Sequence, residues 1–459
     1  MNPSWHQDLP RLKQLLRADE VHFDDATRAE HAGDKWFASH TPDVVVLPRT
    51  TESVSALMRF ACHHQIPVTP RTGGYGYVGG CVPVRGGIAL SLARMNNIKE
   101  INARDFVAVV EAGVITKDLQ EAVEKKGLFY PPDPASRADN GIGGNIVTNA
   151  GGPRCLKYGV TRDYVLGLKV VLACGAVVHL GGRCHKNKTG FDLHRLFVGS
   201  EGMLGIVTEA TLKLIPLPPY RANLVVGLKN MRDAARLLAA IFREGLLPCA
   251  LEIADQFTLA AAAKYTGDKR LEGCGAALIV ELDGQKDSVR GELKGLEKIV
   301  SRFKPQFIQR GLGAARAEEV WKLRRQFSTA LKATGLKKIN EDIVVPRGRL
   351  EEFFKYASGL QKKSGLPVAC FGHAGDGNIH VNIMLDTNDP SQVKRANAAT
   401  DDLFKKVLAM DGAITGEHGV GLAKKPWWNQ AVSPEVNELH HVIKKALDPQ
   451  GILNPGKFV

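Results

Sequence analysis

Short apolar runs alternate with longer amphipathic segments in the first half of the chain, and this pattern predicts strands and helices in turn. Apolar runs predict buried strands at residues 43–47, 66–69, 88–92 and 107–111. Helical periodicity predicts helices at residues 9–16, 51–64 and 117–126, the second of them opened by a Ser/Thr-type cap. Strand, helix and strand in this order indicate an α+β beginning.

A strand pair and a proline-rich segment follow. Residues 165–172 and 176–180 predict two strands that turn at Cys174 and Gly175, and residues 199–216 end in an alternating strand. The sequence LIPLPPY at 214–220 is the best candidate for a domain boundary, because proline ends regular structure.

Helices and strands alternate again beyond residue 220. Helices are predicted at residues 231–243, 255–265, 289–303, 318–332 and 350–363. Strands are predicted at residues 276–282, 342–345 and 368–371. This alternation indicates a second α+β domain with an antiparallel sheet.

The segment PRTGGYGYVGGCVP, residues 70–83, is the most distinctive local feature of the chain. Its five glycines leave bare backbone N–H groups that can close on many acceptor oxygens, such as those of a pyrophosphate. A dinucleotide-binding turn of the Rossmann type is disfavoured, because Pro83 and two further glycines follow where a helix should begin. A glycine-rich hairpin without a ligand is the alternative.

A second stretch rich in Gly, Asn, Ser and Pro covers residues 131–152. Nothing in it is periodic enough for a helix or a long strand, so its backbone needs partners from elsewhere. A large bound cofactor would supply them. Two separate glycine-rich segments in one domain therefore predict an extended ligand.

The composition is that of an ordinary globular protein, with 459 residues, enough for two or three domains. The eight cysteines form no C-x-x-C pair, which disfavours an Fe–S cluster, a thiolate zinc site and a disulfide framework, and indicates a reducing compartment. No signal-peptide pattern or long apolar stretch is present, so we expect a cytoplasmic protein without a membrane span.

The net charge of +13 raises the question of a nucleic-acid partner. Lys and Arg are spread along the chain without a long basic run or a known nucleic-acid motif, so that class is disfavoured. An anionic substrate, an acidic protein partner or a loose association with a membrane surface explains the charge better.

The segment FGHAGDGNIHVN, residues 371–382, carries two histidines that bracket a turn. A strand-turn-strand could bring His373 and His380 to one point, although two histidines alone are more often structural. The segment GEHGVG, residues 416–421, adds the carboxylate of Glu417 and a third imidazole, that of His418. Two histidines and one carboxylate with open positions suit a catalytic divalent metal.

Four motifs in a fixed order resemble one known family: PRTGGYGYVGG; DPAS with IGGNIVTNAGG; KYGVTRDYVLG; and GSEGMLGIVTE. They resemble the FAD-contacting segments of the FAD-linked oxidases of the vanillyl-alcohol oxidase, or PCMH, type. The similar branch contains D-lactate dehydrogenases, the glycolate oxidase flavin subunit and D-2-hydroxyglutarate dehydrogenases. The resemblance covers residues 42–457.

The resemblance implies an α+β fold with three parts. These are a two-lobed FAD-binding domain at residues 1–218, an α+β substrate or cap domain at 219–412, and a C-terminal segment at 413–459 that returns to the flavin. We expect non-covalent FAD, because Tyr75 stands near the position where some relatives carry a flavin-linked histidine.

The same resemblance implies the residues that contact FAD. They are Arg71, Thr72, Gly73, Gly74, Tyr75, Gly76, Tyr77, Pro132, Asp133, Ser136, Ile142, Gly143, Gly144, Asn145, Thr148, Asn149, Gly151, Gly152, Tyr158, Glu201, Gly205, Ile206, Val207 and Asn454. Ile206 and Val207 would lie along the isoalloxazine edge. Asn454 belongs to a tail that either returns to the flavin or simply docks on the domain.

By resemblance, His373, His380 and Glu417 are metal ligands for Zn or Mn, and His418 is the base. Arg324 would bind the substrate carboxylate, and Asn382 would donate to the substrate. The alternative for Arg324 is an exposed helical arginine.

One departure bears on the substrate. In the 2-hydroxyglutarate enzymes a threonine and a lysine assist the arginine, and the positions aligned with them are Ser328 and Asn340, with Lys337 and Lys338 nearby. Loss of the lysine would favour a monocarboxylate such as D-lactate or glycolate.

These features predict FAD-dependent, metal-assisted oxidation of a D-2-hydroxy acid, with hydride transfer from C2 to flavin N5. Electrons would pass to an external acceptor, which could be a quinone, a cytochrome, an electron-transfer flavoprotein or an Fe–S subunit. Open alternatives are a D-2-hydroxyglutarate dehydrogenase, the flavin subunit of a membrane-associated complex with an Fe–S partner, and a flavin-free binding protein. A homodimer and peripheral association with the inner face of the membrane also stay open.

Overall fold

The computed structural model describes residues 4–459. Contacts divide the chain into two units. Unit 1 comprises Met1–Ala150, Val160–Leu217 and Glu417–Val459, and unit 2 comprises Gly151–Gly159 and Pro218–Gly416. One division between the units falls at Leu217, inside the proline-rich segment 214–220, whereas the transfer of Gly151–Gly159 to unit 2 has no counterpart in the sequence pattern.

The described residues form eighteen strands and fifteen α-helices. The strands are β1 (Val21–His22), β2 (Val44–Val46), β3 (Val68–Arg71), β4 (Ile88–Ser91), β5 (Ile98–Asn102), β6 (Val107–Glu111), β7 (Leu128–Phe129), β8 (Val165–Val171), β9 (Val177–Gly181), β10 (Ile206–Lys213), β11 (Ile215–Pro216), β12 (Tyr220–Leu228), β13 (Ala250–Asp255), β14 (Ala276–Gly284), β15 (Phe307–Leu312), β16 (Lys337–Val344), β17 (Val368–His373) and β18 (Asn378–Leu385). The helices are α1 (Leu12–Leu15), α2 (Asp25–Glu30), α3 (Thr51–His64), α4 (Thr116–Glu124), α5 (Ile142–Thr148), α6 (Cys155–Tyr158), α7 (Leu193–Phe197), α8 (Met231–Arg243), α9 (Gln256–Thr266), α10 (Lys286–Ser301), α11 (Gly313–Lys332), α12 (Leu350–Ser364), α13 (Pro390–Leu408), α14 (Lys425–Ala431) and α15 (Pro434–Leu447).

Unit 1 contains two main sheets. A four-stranded sheet has the order β1-β2-β4-β3, with β2, β4 and β3 parallel, and a five-stranded antiparallel sheet has the order β5-β6-β10-β8-β9. The cap predicted for α3 is confirmed, because the Thr50 side chain accepts from the backbone N–H of Ser53. The strand pair predicted around Cys174 and Gly175 is also confirmed as β8 and β9.

One expectation for unit 1 is wrong. Residues 131–152 contain the helix α5, although their composition predicts no helix. Its seven residues include two glycines, so propensity opposes it. Packing decides instead: the N–H of Gly143 donates to the carbonyl of Ala112 at 2.7 Å, and the Asn145 side chain donates to Thr116 Oγ1 at 2.7 Å.

Unit 2 is built on a seven-stranded antiparallel sheet with the order β15-β12-β14-β13-β17-β18-β16. Helices α9 and α11 pack on the face that carries Ile279 and Phe371, and together they enclose an apolar core. Helices α8, α10, α12 and α13 contact the same sheet. The α+β fold class with an antiparallel sheet, expected from the sequence, is therefore confirmed.

No helix within residues 4–459 is long and apolar enough to cross a bilayer.

Candidate active site

The glycine loop of unit 1 follows β3 and packs tightly against the Arg71 side chain and the Asp139 backbone. A Cβ atom added at Gly74, where φ is +70°, would lie 1.9 Å from a terminal nitrogen of Arg71. One added at Gly73 would lie 2.5 Å from the carbonyl oxygen of Asp139. Only glycine fits these positions without a shift of the neighbours. The Nε of Arg71 is buried and has no hydrogen-bond partner among residues 4–459.

The second glycine-rich stretch adjoins this loop within unit 1. A Cβ at Gly144 would lie 2.7 Å from Thr72 Oγ1, and one at Gly141 would lie 2.9 Å from Thr72 Cβ. Bare backbone therefore lines both sides of the Thr72 side chain. The loop, the start of α5 and the unpaired Arg71 nitrogen fit a cofactor that carries phosphate oxygens.

Many other side chains expected to contact FAD are bonded inside the protein. Thr148 Oγ1 donates to Gly144, Asn149 Oδ1 accepts from the backbone of Arg162, Ser136 Oγ accepts from Asn140, and Asp133 pairs with Arg137. Ile206 and Val207 have buried side chains, and Ile206 belongs to the hydrophobic core. These residues shape the loops through their side chains, which leaves their backbone for cofactor contacts.

His418, the expected base, lies against the glycine loop within unit 1. Its ring centroid is 5.2 Å from that of Tyr77. The backbone N–H groups of Leu422 and Ala423 donate to the carbonyl of Val78, at 2.7 and 3.0 Å. The segment that carries His418 is thus attached to the loop expected to hold the cofactor.

Glu201 secures this segment, a role that the sequence reasoning missed. Its carboxylate accepts hydrogen bonds from the N–H groups of Val420 at 2.7 Å and Gly421 at 2.9 Å. Burial raises the pKa of Glu201, although these two donors oppose the shift. The Glu201 side chain, which the sequence predicts to contact FAD, therefore bonds to the backbone of the turn after His418. Its backbone has a left-handed φ of +48°, a conformation uncommon for a residue with a Cβ.

The C-terminal tail docks on the same structure. Asn454 Nδ2 donates to the carbonyls of Gly80 at 2.8 Å and Glu201 at 2.7 Å. Lys457 is fully buried and donates from Nζ to the carbonyl of Val82 at 2.8 Å. The tail therefore fixes the second half of the glycine loop.

In unit 2, the predicted strand-turn-strand brings two histidines together. His373 ends β17 and His380 lies in β18, where the register pairs Phe371 with His380. Because side chains alternate along a strand, His373 and His380 share one face of the sheet. Their ring centroids are 5.5 Å apart, and they offer nitrogen atoms within 4.8 Å of each other.

Glu252 in β13 is a central residue that sequence reasoning missed. It is fully buried; Oε1 lies 2.6 Å from His373 Nδ1, and Oε2 accepts from Arg324 Nε at 2.5 Å. Burial alone would raise its pKa, but the His373 and Arg324 charges outweigh it and lower the pKa to about 2. The sequence does contain one signal for Glu252: it is the single carboxylate within the apolar run ALEIA, where a buried charge needs a partner.

Arg324 lies on α11 with most of its side chain buried. Its guanidinium carbon lies 4.9 Å from the centroid of the Phe371 ring. Among residues 4–459 its hydrogen bonding involves only Nε, so the terminal nitrogens can bind a planar anion. Arg325, in contrast, pairs with Glu318 at the surface.

The side chain that contacts Ser328 is that of Lys338, two residues before Asn340 in β16. Its Nζ donates to Ser328 Oγ at 2.9 Å, and burial, reinforced by the charge of Lys332, lowers its pKa to about 8. Lys338 and Asn340 share a face of β16, since they are two residues apart. A lysine therefore lies beside Ser328, the position aligned with the family's threonine, although the aligned lysine position itself holds Asn340.

Asn382 is fully buried opposite Asn340 in the sheet. Its Nδ2 donates to the carbonyls of Ala369 at 3.3 Å and His380 at 3.4 Å, while Oδ1 has no partner among residues 4–459. In this orientation Asn382 offers an acceptor, Oδ1, and its predicted contact with the substrate stays a prediction.

Glu417 directly follows Gly416, the last residue of unit 2. Asp342 accepts from the Gly416 N–H at 2.8 Å and from Thr415 Oγ1 at 3.0 Å, both through Oδ2. Asp342 is also the cross-strand partner of His380. Asp342 thus fixes Gly416, the residue directly before the predicted metal ligand Glu417.

Comparison with known proteins identifies the family. Residues 217–458 match the model described as FAD linked oxidases, C-terminal domain, and residues 42–181 match an FAD binding domain. The chain is similar to glycolate oxidase subunit GlcD of Bacillus subtilis (strain 168), with 40% identity over 417 residues covering 91% of this chain and 89% of the relative. It is also similar to a D-lactate dehydrogenase of Anaerostipes hadrus, with 35% identity over 460 residues, covering 97% and 94%.

Among solved structures, p-cresol methylhydroxylase with substrate bound has a TM-score of 0.80 at 21% identity, covering 100% of this chain and 97% of that one. This likeness shows the shared fold, as does that to alkyldihydroxyacetonephosphate synthase, with a TM-score of 0.76 at 20% identity, covering 99% of this chain and 85% of that one. The resemblance inferred from the motifs is confirmed. The chain belongs to the FAD-linked oxidases and is an FAD-dependent oxidoreductase of the D-lactate dehydrogenase and glycolate oxidase branch.

Proposed function

We propose that this chain oxidises a D-2-hydroxy acid to the 2-oxo acid and passes the electrons to an external acceptor. The observation that carries the proposal is the bridge that Glu252 makes between His373 and Arg324. A 2-hydroxy acid has its carboxylate and its hydroxyl on neighbouring carbons, so the groups that bind them must lie side by side. Glu252 holds the imidazole of His373 and the guanidinium of Arg324 side by side.

The polar side chains of unit 2 divide the tasks of binding. Arg324 binds the substrate carboxylate through its terminal nitrogens, as a planar fork suits a carboxylate. Glu252 pairs with His373 Nδ1, which orients the ring, and His373 offers one ring nitrogen to the candidate metal site. Asn382 offers its Oδ1 as an acceptor.

We assign His373, His380 and Glu417 as ligands of a divalent metal, with Zn and Mn both compatible with nitrogen and oxygen donors. The buried, carboxylate-supported histidine pair fits such an ion. A bound metal would supply positive charge that favours loss of the substrate hydroxyl proton.

We assign His418 as the base that takes the hydroxyl proton, since a neutral imidazole nitrogen can accept a proton. Its contact with Tyr77 of the glycine loop supports this assignment. Bound non-covalently, FAD would supply N5 as the hydride acceptor for C2 of the substrate. The FAD-contacting residues are those expected from the sequence, except that Glu201 acts on the turn after His418 through its side chain.

Lys338 favours a second candidate substrate, D-2-hydroxyglutarate. Ser328 follows Arg324 by four residues on α11, so the two side chains share one face of the helix. Lys338 bonded to Ser328 therefore adds a second cation on the side of α11 where Arg324 would hold the first carboxylate. A dicarboxylate substrate would use both.

The name of the Bacillus relative supports a third candidate, a flavin subunit of a larger oxidase. The chain has no C-x-x-C pair, so onward electron transfer requires an external acceptor.

Anaerobic mixing of the purified flavoprotein with each acid tests the proposal. Loss of the oxidised-flavin absorbance with D-lactate, glycolate or D-2-hydroxyglutarate, but not with L-lactate, is the expected result. A chelator should prevent the loss, and added Zn or Mn should restore it. A yellow protein that none of these acids bleaches would rule out an autonomous dehydrogenase and favour the subunit of a complex.

A further inference from the structure

An exposed segment between β9 and α7 has no role in the proposed chemistry. Every residue from 183 to 193 is exposed, and the Phe191 side chain is 91% exposed. At Gly190, where φ is +79°, an added Cβ would meet nothing within 4 Å. Residues 184–191, here called the basic loop, therefore present a large apolar ring to solvent, which is unusual for a phenylalanine.

Both ends of the basic loop are fixed to unit 1. Arg183 donates to the Glu100 carboxylate at 2.6 and 2.9 Å and to Asp105 at 3.0 Å. At the other end, α7 buries Phe197. The loop thus projects from two fixed points, and Phe191 is held at the surface.

Basic residues lie close to Phe191 in the sequence. His185, Lys186 and Lys188 precede Phe191, and the single acidic neighbour, Asp192, pairs with His194 at 2.9 Å and with Arg195 at 3.3 Å. The chain as a whole carries +13. A negatively charged surface therefore complements the loop.

We propose that the basic loop docks unit 1 on an anionic lipid bilayer. Phe191 enters the boundary between headgroups and acyl chains, while Lys186 and Lys188 remain with the anionic headgroups. Leu193, which is 45% exposed, lies beside the same ring in sequence and adds apolar area. Because no described helix spans a bilayer, this docking is peripheral.

The observations favour a bilayer over a protein partner. A stable protein interface buries roughly 800 Å² on each side around a contiguous apolar centre. The basic loop instead offers one exposed ring preceded in sequence by two lysines, which is the composition of an interfacial anchor. The inference does not depend on the substrate or on the proposed function.

Flotation of the holoprotein with vesicles tests the proposal. Vesicles of phosphatidylcholine mixed with phosphatidylglycerol should bind it at low salt, while vesicles of phosphatidylcholine alone should not. Lys186→Glu with Lys188→Glu should weaken binding by about tenfold or more, since each basic residue near an anionic surface contributes about 1 kcal/mol. Phe191→Ala should weaken it about fivefold, because only part of the ring enters the bilayer.

Matched variants separate the loop from overall charge and exposure. Lys286→Glu with Lys294→Glu makes the same charge change on α10, and Phe37→Ala removes a ring that is 86% exposed. Both should bind vesicles as the unaltered protein does. Equal losses in control and loop variants, or no binding to anionic vesicles, would overturn the proposal, and the second outcome would leave a protein surface as the partner. Flavin content checks that all variants fold.

Discussion

Glu252 and His373 form a buried carboxylate–imidazole pair, with Oε1 of the first 2.6 Å from Nδ1 of the second. The same carboxylate accepts from Arg324, so one residue orients both the expected metal ligand and the expected carboxylate-binding group. Supporting carboxylates of this kind orient metal-binding histidines and strengthen them as ligands. In the proposed site, Glu252 would therefore link the metal-binding histidine to the arginine that binds the substrate.

Glu252→Gln should lower metal affinity by about 10- to 100-fold, because a neutral amide is a weaker partner for His373. Metal titration of the chelator-treated protein measures this directly. Glu281→Gln is the control, since Glu281 is also buried in the sheet but pairs with Arg154 and Trp321. A similar loss of metal affinity in both variants would mean that Glu252 acts only through stability.

Gly144→Ala should reduce the flavin retained per chain without destabilising the fold. The new Cβ would lie 2.7 Å from Thr72 Oγ1 and fill part of the cradle, whereas alanine favours the helix itself by about 0.5–1 kcal/mol over glycine. The ratio of flavin absorbance to protein absorbance measures retention.

Gly291→Ala is the matched control for this change. Gly291 is also helical, and a Cβ there meets nothing within 4 Å. Retention should be unchanged in this variant. If Gly144→Ala retained its full flavin content, the cofactor would not occupy the space beside Thr72.

The sequence predicts the fold well where the pattern is local. The helix α8 matches its expected bounds, because Asn230 caps it and one face is regularly apolar. The helix α5 was missed because long-range bonds stabilise it against its own composition.

In the candidate site, too, contacts between residues close in sequence could be predicted, whereas long-range contacts could not. His373 and His380 could be paired from their motif, since a short turn connects them. Glu252 could not, because 121 residues separate it from His373 and only the sheet register brings them together. The contact between Lys338 and Ser328 could not be predicted either, because the spacing of residues does not show which side chain of β16 reaches α11.

Glu201→Gln should release the turn after His418. The amide can accept only one of the two hydrogen bonds that the carboxylate receives, so we expect a stability loss of about 1–3 kcal/mol. Hydrogen exchange of the Val420 and Gly421 amides should quicken, and turnover should fall with flavin retained. Unchanged exchange at these two amides would contradict the positioning role of Glu201.

Lys338 predicts a pH dependence that distinguishes the candidate substrates. Its pKa is lowered to about 8 mainly by burial, so the ammonium is charged below about 8 and becomes neutral as the pH rises through that value. Binding of a second substrate carboxylate needs the charged form. The KM for D-2-hydroxyglutarate should therefore increase as the pH passes about 8, while the KM for D-lactate should not respond to this group.

Lys338→Met should abolish this dependence and raise the KM for D-2-hydroxyglutarate at neutral pH by about tenfold or more, the value of one charge-assisted hydrogen bond. Lys337→Met, at the exposed neighbouring position, should leave both KM values unchanged. Steady-state kinetics of both variants with both acids measure the effect. If Lys338→Met leaves the KM for D-2-hydroxyglutarate unaltered, the lysine does not reach the substrate. A monocarboxylate held by Arg324 alone would then be the better assignment.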